Sequence, residues 1–391
     1  MPVFNPGRPA YQGDPYPSLA ALRAVEPVHW SRDMNAWIVT SYAECFAAAQ
    51  DHERFSADPR VSHAGIEVNA HRDRVPLGTV DVMATVDEPD HGRLRRSVMR
   101  AFAPRAVEAA RRRIEAALAD LLGEVDPGRP FDLIGGLAEP LVVTTVIGHL
   151  GIPAGTWADF RAWSRAITAA RSNPAATDVD VRAAVAAHEN LQRLFRSMDP
   201  DGDTVLGAVK ASVAEDVLSE AEAIMLLVHA SLSGNGPTTM ALGNLVLTLA
   251  TNPGAYEWLR DHRDGVPGAV EEILRFDSPV HAIARWARVG TALGGRPVRA
   301  GQVVFLVLGA ANRDPAQFPD PDRLDLARED TRHLAFSHGP HFCLGAPLAR
   351  LELQVALAAI VDRWPSLRVL AMERLHDFVL RGPRRLVIAA G

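Results

Sequence analysis

The sequence predicts a mainly α-helical fold with a minor β portion, built as a single domain over residues 1–391. Segments with apolar residues at helical spacing fill the middle of the chain. One apolar segment is long enough for a helix that crosses a whole domain, and strand-like stretches are short and few. Hydrophobic residues make up 48% of the 391 and charged residues 23%, ordinary globular values that exclude disorder and fibrous repeats as global descriptions. Length alone would suggest two or three domains, but no internal repeat or low-complexity linker divides the chain. With 41 Lys+Arg against 47 Asp+Glu the formal net charge is -6, which argues against nucleic acid as a partner. Lys210 is the only lysine, a coding bias rather than a functional signal.

Taken in order, prolines punctuate the first 90 residues, and the stretch 28–40, with Trp30, Trp37, Ile38 and Val39, reads as the first strand pair. Helical periodicity covers 104–122, 137–150, 157–170 and 179–198. Ser219 followed by Glu222 is a capping-box pattern that starts the longest helix, and Pro253 stops it at Asn252. That gives about 32 residues and about 48 Å. Ser231, Ser233, Gly234, Asn235, Gly236 and Pro237 interrupt its apolar run, so it reads as a core helix and no membrane span is expected. Pro237 cannot donate to the Ser233 carbonyl, which predicts a kink or an opened groove at mid-helix. The stretch 293–308, with Gly294, Gly295 and Gly301, suggests short hairpin strands, 347–364 a strong helix and 386–389 a last strand. Two cysteines, Cys45 and Cys343, and no basic, apolar leader in residues 1–17 lead to the expectation of a reducing cytoplasm.

The chemistry concentrates around Cys343. The run Phe336-Ser337-His338-Gly339-Pro340-His341-Phe342-Cys343-Leu344-Gly345 leads into the helix at 347–364. A cysteine at a helix N-terminus meets unpaired amides and the positive end of the dipole, which favour a thiolate. Three roles compete: a buried structural cysteine, a zinc ligand together with His333, His338 and His341, and a thiolate axial ligand to haem.

The segment resembles the cysteine loop of the cytochrome P450 superfamily, in which Phe, two residues, Gly, three residues, Cys, one residue and Gly recur; Phe336, Gly339, Cys343 and Gly345 fit it. Glu272-Ile273-Leu274-Arg275 resembles the family's Glu-x-x-Arg helix, and Arg323 the third member of that ion network. Asp87 to Arg96 resembles the helix whose histidine and arginine bind haem propionates, here His91 and Arg95, and Arg285 and His341 match further propionate donors. The resemblance implies haem b held between the central helix and the cysteine-loop helix, with Cys343 on the iron, and monooxygenase chemistry fed by ferredoxin and ferredoxin reductase. Arg93, Arg95, Arg96, Arg100, Arg105, Arg111, Arg112 and Arg113 cluster near where the family docks acidic ferredoxins.

The same alignment places Ser233-Gly234-Asn235-Gly236-Pro237-Thr238 over the family's oxygen-activating segment, with Gly236 in place of its acid and Pro237 in place of its threonine. Those groups ordinarily support proton delivery. Thr238 could substitute by a register shift, and Asn235 or Ser233 could hold a water. The departure suits oxidative coupling or hydroxylation of an aromatic or peptide-like substrate in bacterial secondary metabolism; a peroxide-using enzyme and a non-catalytic haem-containing recruitment module are the alternatives. The family fold implies a substrate side built from 61–83, 163–188, 233–237, 280–283 and 378–380, to which His63, His71, Arg72 and His281 lend polar character, so that a small molecule or a peptide is the expected substrate.

Overall fold

The computed structural model describes residues 4–62, 80–126, 128–172, 176–199 and 202–391. His63, His71 and Arg72, expected on the substrate side, lie outside them. The chain divides into two compact units, the first made of Met1–Phe55, Arg111–Val142 and Gly236–Gly391, the second of Ser56–Ala110 and Val143–Asn235.

Helices of seven residues or more are numbered in chain order: α1 (Tyr16–Val25), α2 (Tyr42–Gln50), α3 (Asp90–Met99), α4 (Pro104–Glu124), α5 (Glu139–Leu150), α6 (Trp157–Ser172), α7 (Asp178–Ser197), α8 (Val205–Ala214), α9 (Glu220–Thr251), α10 (Ala255–Asp261), α11 (Val266–Phe276) and α12 (Ala346–Arg363). The strands are β1 (Val28–Ser31), β2 (Ala36–Val39), β3 (Phe55–Ser56), β4 (Phe131–Asp132), β5 (Ile283–Ala287), β6 (Thr291–Leu293), β7 (Arg296–Val298), β8 (Val303–Leu306), β9 (Leu367–Arg374) and β10 (Pro383–Ala390).

In the first unit, β1 and β2 form an antiparallel hairpin, β2 pairs in parallel with β8, and β8 pairs antiparallel with β5. Strand periodicity explains how this sheet is covered on both faces. Trp37 and Val39 of β2 join a core with Cys45 and Ala48 of α2, while Ile38 between them joins Leu19 and Leu22 of α1. A smaller sheet runs β4-β10-β9. The C-terminal half of α9 passes it closely: a Cβ built on Gly243 would lie 2.7 Å from Pro383 Cγ and 2.8 Å from Ile134 Cδ1, so only glycine fits there. At the next residue, Asn244 Nδ2 donates to the carbonyls of Asp277 (2.9 Å) and Arg381 (3.1 Å), tying α9 to the end of α11 and to the approach to β10.

In the second unit, α6 and α7 pack together. Ala184, Ala187, Leu191 and Phe195 form the buried stripe of α7, and Thr177 with Asp180 caps its start by a capping box. Arg93 of α3 pairs with Glu222 at 2.6 Å, fixing α3 to the first turn of α9.

The sequence located most elements to within two residues. Ser219 and Glu222 make the expected reciprocal bonds (2.8 and 3.2 Å), and α9 spans 32 residues, with Ala223 to Val228 all buried as its lack of a polar face requires. Its helical backbone runs unbroken through Pro237. Among the described residues no single helix is long and apolar enough to cross a membrane.

Candidate functional site

The loop that carries Cys343 is held from below by side chains. Asn312, fully buried, accepts the Leu334 amide at 2.6 Å and donates to Ser278 Oγ at 2.8 Å. Two residues with positive φ, Ser337 and Gly339, then reverse the chain. A Cβ on Gly339 would lie 2.6 Å from the Ala49 carbonyl oxygen, so the loop presses on the end of α2 at a point no other residue tolerates. His338 stacks on Phe46, ring centroids 3.9 Å apart. Beyond that contact the Cys343 amide donates to the Phe336 carbonyl at 3.0 Å, closing the loop, and α12 begins at Ala346. Phe336, Gly339, His341 and Cys343 therefore belong to one closed turn, and Gly345 caps the helix that follows it.

The two cysteines occupy opposite environments. Cys45 is fully buried, donates its thiol to the Val39 carbonyl at 3.4 Å, and burial pushes its pKa up, so it is a core residue. Cys343 is exposed, at the mouth of the dipole of α12. Zinc is ruled against by geometry: His338 is committed to Phe46 and His333 to Glu271, and among the described residues no three His, Cys, Asp or Glu side chains cluster to hold a metal ion. A thiol standing out of the core beside a helix N-terminus fits the cysteine ligand of haem b, whose carboxylates call for guanidinium and imidazole donors. Of the donors the resemblance implies, the first unit holds Arg285, 6% exposed on β5 with Nη1 donating to the Ala284 carbonyl at 2.8 Å, and His341 in the turn Gly339–His341. In the second unit His91 and Arg95 lie one turn apart on α3. Burial holds the His91 pKa below its ordinary value, with Glu88, 3.3 Å from Nδ1, opposing.

Behind the loop lies a buried ion network. Arg275 makes a bidentate pair with Glu272 at 2.7 and 2.8 Å, both side chains fully enclosed. Its Nη1 donates to the carbonyls of Asn312 (2.8 Å) and Pro321 (2.9 Å). The third member is Arg328, whose Nε donates to Glu272 Oε2 at 3.1 Å; the expectation of Arg323 is corrected. Arg323 is 69% exposed in its side chain and pairs with Asp325 at 3.4 Å. The reason is the turn at Asp320, whose positive φ and the Arg323 amide bond to the Asp320 carbonyl throw Arg323 outward, while Arg328 folds back to donate to the Pro319 carbonyl at 2.9 Å.

Sequence reasoning missed a second network. Glu271 accepts Arg350 of α12 in a bidentate pair (2.8 and 2.8 Å) and lies 3.2 Å from His333 Nε2; the Arg350 guanidinium sits 4.5 Å over the Phe336 ring. Adjacency of Glu271 to Glu272 was the only available signal. Burial opposes ionisation of Glu271, but His333 and Arg350 outweigh it and hold its pKa down to about 2. Its contribution to stability is thus complete above the ordinary glutamate value of 4.5 and lost as pH falls towards about 2. Glu271→Gln should flatten the decline of the thermal midpoint across that window; curves parallel to the parent protein would refute this.

In α9, Ser233, Gly236 and Pro237 share one face by helical spacing. Ser233 is exposed, and a Cβ on Gly236 would meet nothing within 4 Å. Thr238 is 8% exposed and turned from that face, and Asn235 points away as well, its Oδ1 buried without a hydrogen-bond partner. Gly234 is packed against Val146. His281, expected to lend the substrate side polarity, is buried against Gly309 and edge-on to Tyr16; burial drives its pKa down to about 3 and neither ring nitrogen is hydrogen-bonded.

Comparison with known proteins agrees with this geometry. Residues 203–366 match the family model for Cytochrome P450. Cytochrome P450 107B1 of Saccharopolyspora erythraea is 36% identical over 98% of this chain and 96% of its own length. Mycinamicin IV hydroxylase/epoxidase of Micromonospora griseorubida is 35% identical over 94% of this chain and 93% of its own. Among solved structures, CalO2 superposes with a TM-score of 0.88 at 30% identity, covering 100% of this chain and 99% of that one. With 35–36% identity over nearly the whole length of these relatives, the chain belongs to the cytochrome P450 family and is a monooxygenase that binds haem b.

Proposed function

We propose that this enzyme serves bacterial secondary metabolism by hydroxylating or oxidatively coupling an aromatic or peptide-like substrate, in which the Cys343 thiolate would hold the haem iron and His91, Arg95, Arg285 and His341 would bind the propionates. The mycinamicin enzyme among its relatives supports the pathway class. Haem, when bound, supplies the redox chemistry that activates oxygen; everything else falls to side chains of this chain. The observation that carries the reading is the open face of α9. Gly236 leaves space where the family has an acid, and Pro237, with no amide hydrogen, leaves the Ser233 carbonyl without its intrahelical donor. That carbonyl can accept a hydrogen bond from a water or a substrate hydroxyl, and the exposed Ser233 hydroxyl beside it can relay the proton. Thr238, buried on another face, is the poorer substitute.

Electrons come from separate proteins, proposed as ferredoxin and ferredoxin reductase; the exposed Arg96 of α3, Arg100 in the turn that follows it and Arg105 at the start of α4 suit an acidic partner. A cytoplasmic location accords with two cysteines that are not joined in a disulfide.

The test compares turnover driven by redox partners with turnover driven by hydrogen peroxide. Partner-driven turnover should predominate, and Ser233→Ala should lower it about a hundredfold, the low end of what a positioned proton donor contributes, while sparing the peroxide-driven reaction. Equal turnover with peroxide alone would replace the reading by a peroxygenase. Binding of substrate without any product would replace it by a recruitment module.

A further inference from the structure

The cysteine loop is a costly conformation. Ser337 holds a φ of 62° without being glycine, and its hydroxyl oxygen is buried with no hydrogen-bond partner. Such a turn persists only where its surroundings over-determine it. Backbone bonds supply part of the hold: the Ser337 amide donates to the Leu334 carbonyl at 2.8 Å, and the Cys343 amide to the Phe336 carbonyl at 3.0 Å. The Phe336 ring is held as well. The Arg350 guanidinium lies 4.5 Å over it, and Phe342, the residue before Cys343, meets it edge-on with centroids 6.4 Å apart.

Arg350 is itself fixed. Its Nε and Nη2 donate to the two oxygens of Glu271, each at 2.8 Å, and two parallel bonds set the plane of a guanidinium that one bond would let swivel. Glu271 is steadied in turn. His333 Nδ1 accepts the Ala335 amide at 3.2 Å, so the ring proton is on Nε2, 3.2 Å from Glu271 Oε2. An apolar side chain on α12 would cover the Phe336 ring by dispersion alone, whereas a cation over the ring face is also drawn to it by the ring quadrupole.

We propose that Arg350 is a positioning residue for the thiolate: clamped by Glu271, it holds the Phe336 ring against Phe342 and so keeps Cys343 in the conformation that ligates the haem iron. The role rests on the reading of Cys343 as that ligand. It differs from the part played by Glu272, Arg275 and Arg328, which secure the approach to the loop through Asn312. Arg350 acts where the loop closes, on the residue whose carbonyl accepts the Cys343 amide.

The experiment follows, at fixed pH and temperature, the decay of the red-shifted Soret band of the reduced, carbon monoxide-bound holoenzyme into the unshifted band that marks loss of the thiolate. Arg350→Gln keeps an amide donor for Glu271 but removes the cation, and should speed the decay about two- to fivefold, the value of a partly exposed cation–π contact. In a Phe336→Leu background the same substitution should leave the decay rate unchanged; in Phe336→Tyr, which keeps a ring, the acceleration should return. A side chain that only strengthens the fold would speed the decay equally in all three backgrounds. That result, or a decay unaffected by Arg350→Gln in the parent, overturns the proposal. If Arg350→Gln does not retain haem, Arg350→Lys keeps the charge but loses the planar fork; faster decay that depends on the ring at 336 supports the proposal, and faster decay that does not, or an unchanged decay, overturns it. A parent protein with no red-shifted band overturns the assignment of Cys343 and this role with it, whereas a normal parent band with ring-independent decay overturns this role alone.

Discussion

Replacing Cys343 with serine is expected to abolish the red-shifted Soret band of the reduced, carbon monoxide-bound protein and to lower monooxygenase turnover by more than about a hundredfold. Loss of groups that merely support a metal ligand costs about 10- to 100-fold, and removal of the ligand should exceed that. Cys45 cannot take over, because it is fully enclosed and its thiol is committed to the Val39 carbonyl. The loop itself should survive: its closure depends on the amide of residue 343 and the Phe336 carbonyl, not on the sulfur. A variant with the parent far-ultraviolet dichroism and an unshifted Soret band fits a lost ligand in an intact fold. An unchanged spectrum would refute the assignment of Cys343.

The second large effect concerns Glu272. Glu272→Ala leaves Arg275 and Arg328 facing a buried void with their charges uncompensated, and removal of one partner from such a network costs about 3–5 kcal/mol. The loss is not confined to the pair. Glu272 Oε1 also accepts the Asp325 amide at 2.9 Å, and Arg275 holds the carbonyl of Asn312, the residue that anchors the start of the cysteine loop. Protein should accumulate poorly and without haem. Arg323→Ala, by contrast, removes an exposed pair with Asp325 and should change stability by less than about 1 kcal/mol. Comparing urea midpoints of Arg323→Ala and Arg328→Ala separates the two candidates directly: similar midpoints would refute the assignment of Arg328 to the network.

How much of this was legible in the sequence follows from what each feature depends on. The cysteine loop, the Glu272 and Arg275 pair and the span of α9 are local patterns, set by spacing and by caps such as Ser219 and Glu222, and all were readable. Arg328 was not, because its place depends on a turn whose positive φ falls on Asp320, not on a glycine or asparagine that would have marked it. Glu271 with Arg350 and His333 was missed for a related reason: three residues from three segments meet only in the folded chain. In α9 the sequence identified Pro237 and Gly236, but which nearby hydroxyl shares their face required the helix itself. Ser233 does and Thr238 does not.

The parallel pairing of β2 with β8 has a kinetic consequence. The β1–β2 hairpin can form as soon as its few residues exist, but Ala36 waits for Val303 and Val39 for Leu306, and parallel partners cannot be supplied by a neighbouring turn. Until that distant closure, the unpaired edge of β2, all four of whose residues end up buried, stands open to strands of other chains. Refolding of this region is therefore governed by a slow, long-range search, and the hairpin is the place where self-association competes with it.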